Sequence, residues 1–316
     1  MKNSKVLVIG DAFIDLSTEI TDPPQKGGCV WGTSLHISQG GSAANISYAL
    51  ARLQIPNSFL GVVGNDLYGK LIIEVMEKEK IDVSTIQVTD QAPTGTVVVM
   101  IDKDGERTFV PAAWNAAHSL LSLEHLKKVQ FTSYQAVMIS GVCLIENPAR
   151  ETLIEALKSA SSKGIRTYYD PNLRLDSKFS FKEYFDAQLK AIKLADVILI
   201  GDNELRQLFN VKSDTEGIEN IAAFSHKKVI VVKRGKLGAL GYVDNNYYEV
   251  PAFKVKVKNT TGAGDAFDAG FICAQLRGLS IKESIRYANA VAAIKVTLSG
   301  SVFEASYHDV DNLLNS

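Results

Sequence analysis

The stretch Asn259-Thr-Thr-Gly-Ala-Gly-Asp-Ala-Phe-Asp-Ala-Gly-Phe271 carries the densest chemistry in the chain. The residues before it, Phe253-Lys-Val-Lys-Val-Lys258, alternate with period two and predict a strand with one buried face. The residues after it, Ala266–Leu276, read as a helix that stops at Gly278, a plausible C-cap. Gly262-Ala263-Gly264 is thereby expected at a helix N-terminus, where unpaired N–H groups and the helix dipole favour an anion. Small residues let a phosphate approach that backbone. Asp265 follows in the first turn. A carboxylate beside an anion hole repels phosphate unless it has a task, such as taking a proton from an attacking hydroxyl. Composition alone leaves it equally readable as a first-turn acid that complements the dipole.

Outward from this segment the chain alternates strands and helices. Apolar runs at Val6–Ile9, Phe59–Val63, Ala136–Ser140, Arg166–Tyr169, Val197–Ile200 and Val229–Val232 predict buried parallel strands. Helices are expected at Ser42–Leu53, Tyr68–Lys80, Pro148–Lys163 and Lys182–Leu194. The alternation implies an α/β fold, with a mostly parallel central sheet flanked by helices. Ser34–Ser38, Thr96–Ile101 and Arg107–Val110 lack intervening helices, with Asp102–Glu106 as a hairpin turn, and predict a small separate sheet. With no repeat and no Pro/Gly-rich linker, one main domain over 1–316 with a β appendage is expected.

Composition excludes several classes. The net charge of −1 removes the electrostatic drive toward nucleic acid or anionic membrane, and no run of 18 apolar residues exists. Three dispersed cysteines form no CxxC pair, which predicts free thiols, no zinc site and a cytoplasmic location. Gly64-Asn-Asp-Leu-Tyr-Gly-Lys70 fits a phosphate-loop spacing but lacks the following Ser or Thr, so it reads as a coincidence. No GxGxxG follows the first strand, which argues against a dehydrogenase.

Asn259–Phe267 resembles the C-terminal motif of the ribokinase-like (PfkB) carbohydrate kinases, whose usual form begins with Asp rather than Asn. Gly40-Gly-Ser-Ala-Ala-Asn-Ile-Ser-Tyr-Ala-Leu-Ala-Arg-Leu53, with Gly61-Val-Val-Gly-Asn-Asp-Leu-Tyr-Gly69, resembles that family's N-terminal motif. The two lie about 200 residues apart in the expected order, and the similarity runs from Val6 to Gly300. The resemblance implies a ribokinase-like fold and transfer of the ATP γ-phosphate to a sugar hydroxyl. It implies Asp265 as general base, with Gly262, Ala263 and Gly264 as the anion hole. Asp15, Gly40, Gly41 and Asn45 correspond to substrate contacts, and Arg174 of Asp170-Pro-Asn-Leu-Arg174 to a group near the phosphates. Lys233, Gly235, Gly238 and Asn289 correspond to nucleotide neighbours, and Glu204 to an acid that holds magnesium through water. The Asn usual three residues before that acid is Gly201 here.

The strands within about 12–38 and 94–112 correspond to the family's substrate lid, which often doubles as a homodimer contact. Many members are activated by a potassium ion near the anion hole. Asn259 removes one negative charge from that site, so weak or absent potassium activation is expected, with Asn259→Asp raising it. Asp170-Pro-Asn-Leu-Arg174 resembles the DPNxR stretch of fructokinase-like and ketodeoxygluconate-kinase-like members, which implies a ketose or a 2-keto-3-deoxy sugar acid as substrate. A nucleoside or pentose kinase, and a non-catalytic sugar- or nucleotide-sensing module, are the alternatives. Each residue also has a plain reading. Asp15 could be a strand-end acid, Asp170 and Arg174 a turn ion pair, Glu204 a solvated helix-face charge and Ser42 the N-cap of its helix.

Overall fold

The computed structural model describes residues 5–104, 106–173, 181–224 and 228–316. Among them, the N-terminal half forms β1 (Val6–Ile9), β2 (Phe13–Glu19), β3 (His36–Gly40), α1 (Ser42–Arg52), β4 (Asn57–Leu60), β5 (Val62–Gly64) and α2 (Leu67–Lys78). There follow β6 (Gln87–Thr89), β7 (Thr96–Ile101), β8 (Arg107–Ala112), α3 (Leu123–Lys127), β9 (Ala136–Ser140) and α4 (Ala149–Ser162). The C-terminal half continues with β10 (Arg166–Asp170), α5 (Phe181–Leu194), β11 (Val197–Gly201), α6 (Asp202–Phe209), α7 (Asp214–Ala222) and β12 (Val229–Lys233). It ends with β13 (Ala239–Val243), β14 (Asn246–Val250), α8 (Ala263–Leu276), α9 (Ile281–Val296) and α10 (Tyr307–Asn315).

The large sheet runs β14-β13-β12-β11-β10-β9-β1-β4 and is parallel except at β13 and β14. Alternate residues of each parallel strand feed two cores. Val6, Val8, Leu199 and Val231 pack with α1, α8 and α9 on one face, and Leu7, Ile9, Ile198 and Ile230 with α4, α5 and α7 on the other. Both faces are covered, so the strands read as unbroken apolar runs. Each fully buried Val, Leu or Ile contributes about 1.5–3 kcal/mol.

β1 pairs with β4 on one side and β9 on the other. The chain leaves β1 toward β4 and returns to β9 on the opposite flank, so connections diverge at the C-terminal ends of β1 and β9. In an open α/β sheet that divergence leaves a crevice above the strand ends, where ligands bind. Asp11 and Asp15 follow β1, Asp170 ends β10, Glu204 follows β11 and Lys233 ends β12, all at this edge. The small sheet, β3-β2-β7-β8, stands apart from the large one, as its helix-free strands predict.

Two local expectations are corrected, and one element is new. Phe253–Lys258 is not a strand, because no neighbouring strand supplies a ladder. It runs along the protein instead, and Lys258 N–H bonds the carbonyl of Val296 at the end of α9. The run at 59–63 is broken at Gly61, where β4 leaves the large sheet and β5 pairs with β6. The antiparallel hairpin of β13 and β14 was not foreseen, although Asp244 and Asn245 turn it with positive φ angles of 49° and 65°, as a type I′ turn requires. Among the described residues, no helix is long and apolar enough to cross a membrane.

Candidate active site

The site is built where the N-terminus of α8 meets the N-terminus of α1. Gly262 caps α8 at φ 77°, and a Cβ there would lie 2.0 Å from the Ser301 carbonyl oxygen, so the turn admits only glycine. Ala263 N–H closes the turn onto the Thr260 carbonyl at 3.1 Å. The N–H groups of Gly264 and Asp265 then lie in the first turn, with no carbonyl of their own helix to bond.

Asp265 is buried, and α1 reaches across 220 residues or more of sequence to hold it. Ser42 Oγ donates to Oδ1 at 2.7 Å, and Asn45 Nδ2 donates to Oδ2 at 2.8 Å. Asn172 Nδ2 donates to Ser42 Oγ at 2.6 Å, extending the chain of bonds to the loop after β10. Burial raises the Asp265 pKa to about 6, against the pull of Asn45 and Ser42. Ser42 therefore does not cap α1. That helix begins at Gly41, and Asp11 accepts Ser42 N–H at 2.7 Å and Ala43 N–H at 3.3 Å. The reason is competition: the hydroxyl has a buried carboxylate to serve, and a second acid is free to cap.

Asp15 lies close by on β2. Its pKa is also raised to about 6, by burial first, with Ser301 opposing and Asp265 adding repulsion. A Cβ on Gly40 would sit 2.3 Å from Asp15 Oδ1, so the glycine makes room for this carboxylate. Asn45 Oδ1 is buried with no hydrogen-bond partner among the described residues. An orphaned acceptor at this depth is costly unless a ligand's donor meets it. Arg107, from β8 of the small sheet, donates to Thr261 Oγ1 at 2.9 Å and so ties that sheet to the glycine loop.

Lys233 sits 3.5 Å from the Cβ position of Gly264. Its Nζ bridges Asp170 at 3.0 Å and Asp268 at 3.1 Å. Burial works against the Lys233 charge, but Asp170 and Asp268 outweigh it and hold the pKa well above the usual lysine range. Asp268 is pushed well up, by burial and then by Asp170, while Lys233 opposes. Glu204 is engaged by backbone: Oε1 accepts from Leu173 N–H and Oε2 from Gly201 N–H, each at 2.8 Å. Burial and then Asp170 raise its pKa.

Asn289 directs its amide nitrogen to the carbonyls of Val250 and Pro251, both at 3.1 Å. Gly235 and Gly238 both take positive φ in the turn between β12 and β13, and a Cβ on Gly238 would meet Val250 O at 2.1 Å. Arg174 lies outside the described residues. Phe267 and Phe271, an i, i+4 pair on α8, are core. In the segment 64–70, Asp66 caps α2 and accepts from Thr94 N–H, which accounts for that spacing without a phosphate.

Sequence reasoning missed Asp11, Ser42 as a partner of Asp265, Asn172, Asp268 and Arg107. Only Asp268 left a local signal, standing three residues after Asp265 on the same helix and so on nearly the same face.

A family model described as pfkB family carbohydrate kinase matches residues 3–306. A fructokinase of Salmonella typhimurium is 30% identical over 311 residues, covering 96% of this chain and 97% of that protein. The fructokinase of Vibrio cholerae O395, solved with fructose, ADP and a calcium ion, matches with a TM-score of 0.83 at 27% identity, over 99% of this chain and 100% of that one. A double mutant of the same enzyme with fructose, ADP and a potassium ion has a TM-score of 0.82 at 26% identity, with 99% of each chain covered. These matches span nearly the whole chain, and the chain belongs to the pfkB family of carbohydrate kinases, phosphotransferases that act on an alcohol group of a sugar.

Proposed function

We propose that this sugar kinase transfers the γ-phosphoryl group of ATP to a hydroxyl of a ketose or a 2-keto-3-deoxy sugar acid, with Asp265 as the base. The observation that carries the reading is a buried carboxylate at the mouth of an anion-binding helix start, held by Ser42 and Asn45 and raised toward neutral pH. A general base works best with its pKa near the working pH. The N–H groups of the α8 first turn receive the phosphate, and Lys233 beside Gly264 adds a fixed positive charge. Asp15, Gly41 and the unpaired Asn45 Oδ1 hold the sugar hydroxyls.

Magnesium fits as a companion of ATP. Among the described residues no cluster of three or more His, Cys, Asp or Glu is arranged to hold a metal. Mg²⁺ commonly keeps its waters and leans on one or two carboxylates plus phosphates, a role open to Glu204 and Asp170. When bound it neutralises charge on the phosphates.

The small sheet acts as the lid over this crevice, joined to it by the bond from Arg107 to Thr261. Excluding water keeps ATP from hydrolysing. Ile37, Phe109 and Val110 of the same sheet are 51%, 48% and 49% exposed, which favours a homodimer contact there. Sedimentation of the protein with Phe109→Lys is expected to show a lighter species than the wild type. A wild type that sediments as a monomer at micromolar concentration removes the dimer.

The substrate is tested by a panel of ketoses, sugar acids, pentoses and nucleosides scored by ATP-dependent phosphorylation. The fructokinase relatives favour fructose as the first member to try. A ketose or sugar acid is expected to give the highest kcat/KM, and a nucleoside that exceeds all of them overturns the choice.

A further inference from the structure

Lys295, near the end of α9, is completely buried, and its Nζ has no hydrogen-bond partner among the described residues. A buried ammonium without a bonded counter-ion is strongly unfavourable, so its place needs a reason. Its Cε lies 3.4 Å from the Cβ position of Gly262, the residue that starts α8. The charged groups facing it are Arg107 from β8, Asp265 from α8 and Glu304 from the segment after α9. Burial and then Arg107 draw its pKa down to about 8, with Asp265 and Glu304 opposing, which leaves it mostly charged at neutral pH.

The same loop shows why a fixed charge is needed. Asn259 Nδ2 donates to the carbonyls of Ser299 and Gly300, and its Oδ1 accepts Thr261 N–H at 2.9 Å. A carboxylate at 259 could still accept from Thr261, but its other oxygen would press against two carbonyl oxygens. A cation between them would relieve that repulsion. Here N–H donors already cap those carbonyls, and the Lys295 side chain packs against Gly262 at the end of the 259–264 loop. These residues do not fit a bound monovalent cation.

We propose that Lys295, with the Asn259 amide, is a built-in replacement for a monovalent cation, holding the 259–264 loop in the form that receives the transferred phosphoryl group. Lys295 is a positioning residue: it acts through the loop and does not touch the reacting atoms. The proposal rests on the reading of the α8 start as the phosphate site.

The test uses the full chain at fixed ionic strength, with N-methylglucamine chloride exchanged for potassium chloride. Wild type is expected to show no saturable potassium activation. Lys295→Met should keep its thermal stability, since an apolar side chain of similar size replaces an unpaired charge, yet lose about 10²-fold in kcat with little change in the KM for ATP. Lys295→Ala should regain at least about tenfold on adding potassium, ammonium or methylammonium ions, a rescue that a structural role would not give. Adding Asn259→Asp to Lys295→Ala should enlarge the potassium response.

A readout that needs no sugar is the affinity for AMP-PNP relative to ADP by calorimetry. This preference for the γ-phosphate should fall about tenfold in Lys295→Met. Saturable potassium activation of the wild type, a Lys295→Met enzyme with wild-type kcat and γ-phosphate preference, or a Lys295→Ala enzyme that no cation restores would each overturn the proposal. Failure of the underlying site reading is distinct: Asp265→Asn would then keep its turnover.

Discussion

Replacing Asp265 by Asn is expected to lower kcat by at least about 10²-fold and to change the affinities for ATP and sugar little. The substitution keeps the shape of the side chain, so the loop and helix remain in place. What it removes is the ability to take a proton. It also turns one acceptor into a donor that faces Ser42 Oγ or Asn45 Nδ2, both of which donate to the native carboxylate at 2.7 and 2.8 Å.

The pH profile follows from the same group. A base must be deprotonated to act, so with Asp265 in that role kcat/KM is expected to fall as pH drops through its folded-state pKa of about 6. Asp15, also raised to about 6 by burial, steepens that acid limb if its anion is what binds the sugar. Ser42→Ala deletes one donor to the Asp265 carboxylate and is expected to move the limb toward higher pH. Steady-state kinetics across pH 5–9 on the best sugar measure all of this. A near-wild-type kcat for Asp265→Asn would show that another group is the base.

The second large effect is on stability. Lys233→Met leaves Asp170 and Asp268 buried, at 2% and 0% exposure, with no ammonium between them. Removing one partner of a buried ion pair typically destabilises by about 3–5 kcal/mol, because the remaining charge is stranded in a poorly polarisable interior. Adding Asp268→Asn should recover a substantial part of the loss, and the double-mutant cycle measures the coupling directly. Urea titrations of the wild type, the two single variants and the double variant decide between this cluster and a role confined to ATP. Were Lys233 only a nucleotide contact, the single variant would bind ATP weakly yet unfold at the wild-type urea midpoint.

The helix start at Gly262 and the acid that follows it are local features, and so are the apolar strand runs. Each depends on spacing within a few residues, which is why the α/β class, the parallel sheet and Asp265 were legible. The separate small sheet was legible too, because Thr96–Ile101 and Arg107–Ala112 leave no room for a crossover helix. Phe253–Lys258 shows the limit of such patterns. Period-two alternation states that one side is buried, but a strand also needs a neighbour to bond with, and the fold places none there.

Partner choice inside the site is of the same non-local kind. Ser42 carries equal local credentials as a helix cap, and only the approach of α8 assigns its hydroxyl to Asp265, 223 residues away. For Lys233 the resemblance implies only a nucleotide neighbour, and it takes β10 and α8 to bring Asp170 and Asp268 against it. Lys295 lies near the end of α9, and nothing in its local sequence marks it for burial. The sequence by itself determined where a helix starts on small residues and which acid stands in its first turn, since those are properties of single turns. Only the tertiary structure decided which distant donors hold that acid and which cation stands under the loop, because hydrogen bonds and buried charges are satisfied through space, between elements that share no local pattern.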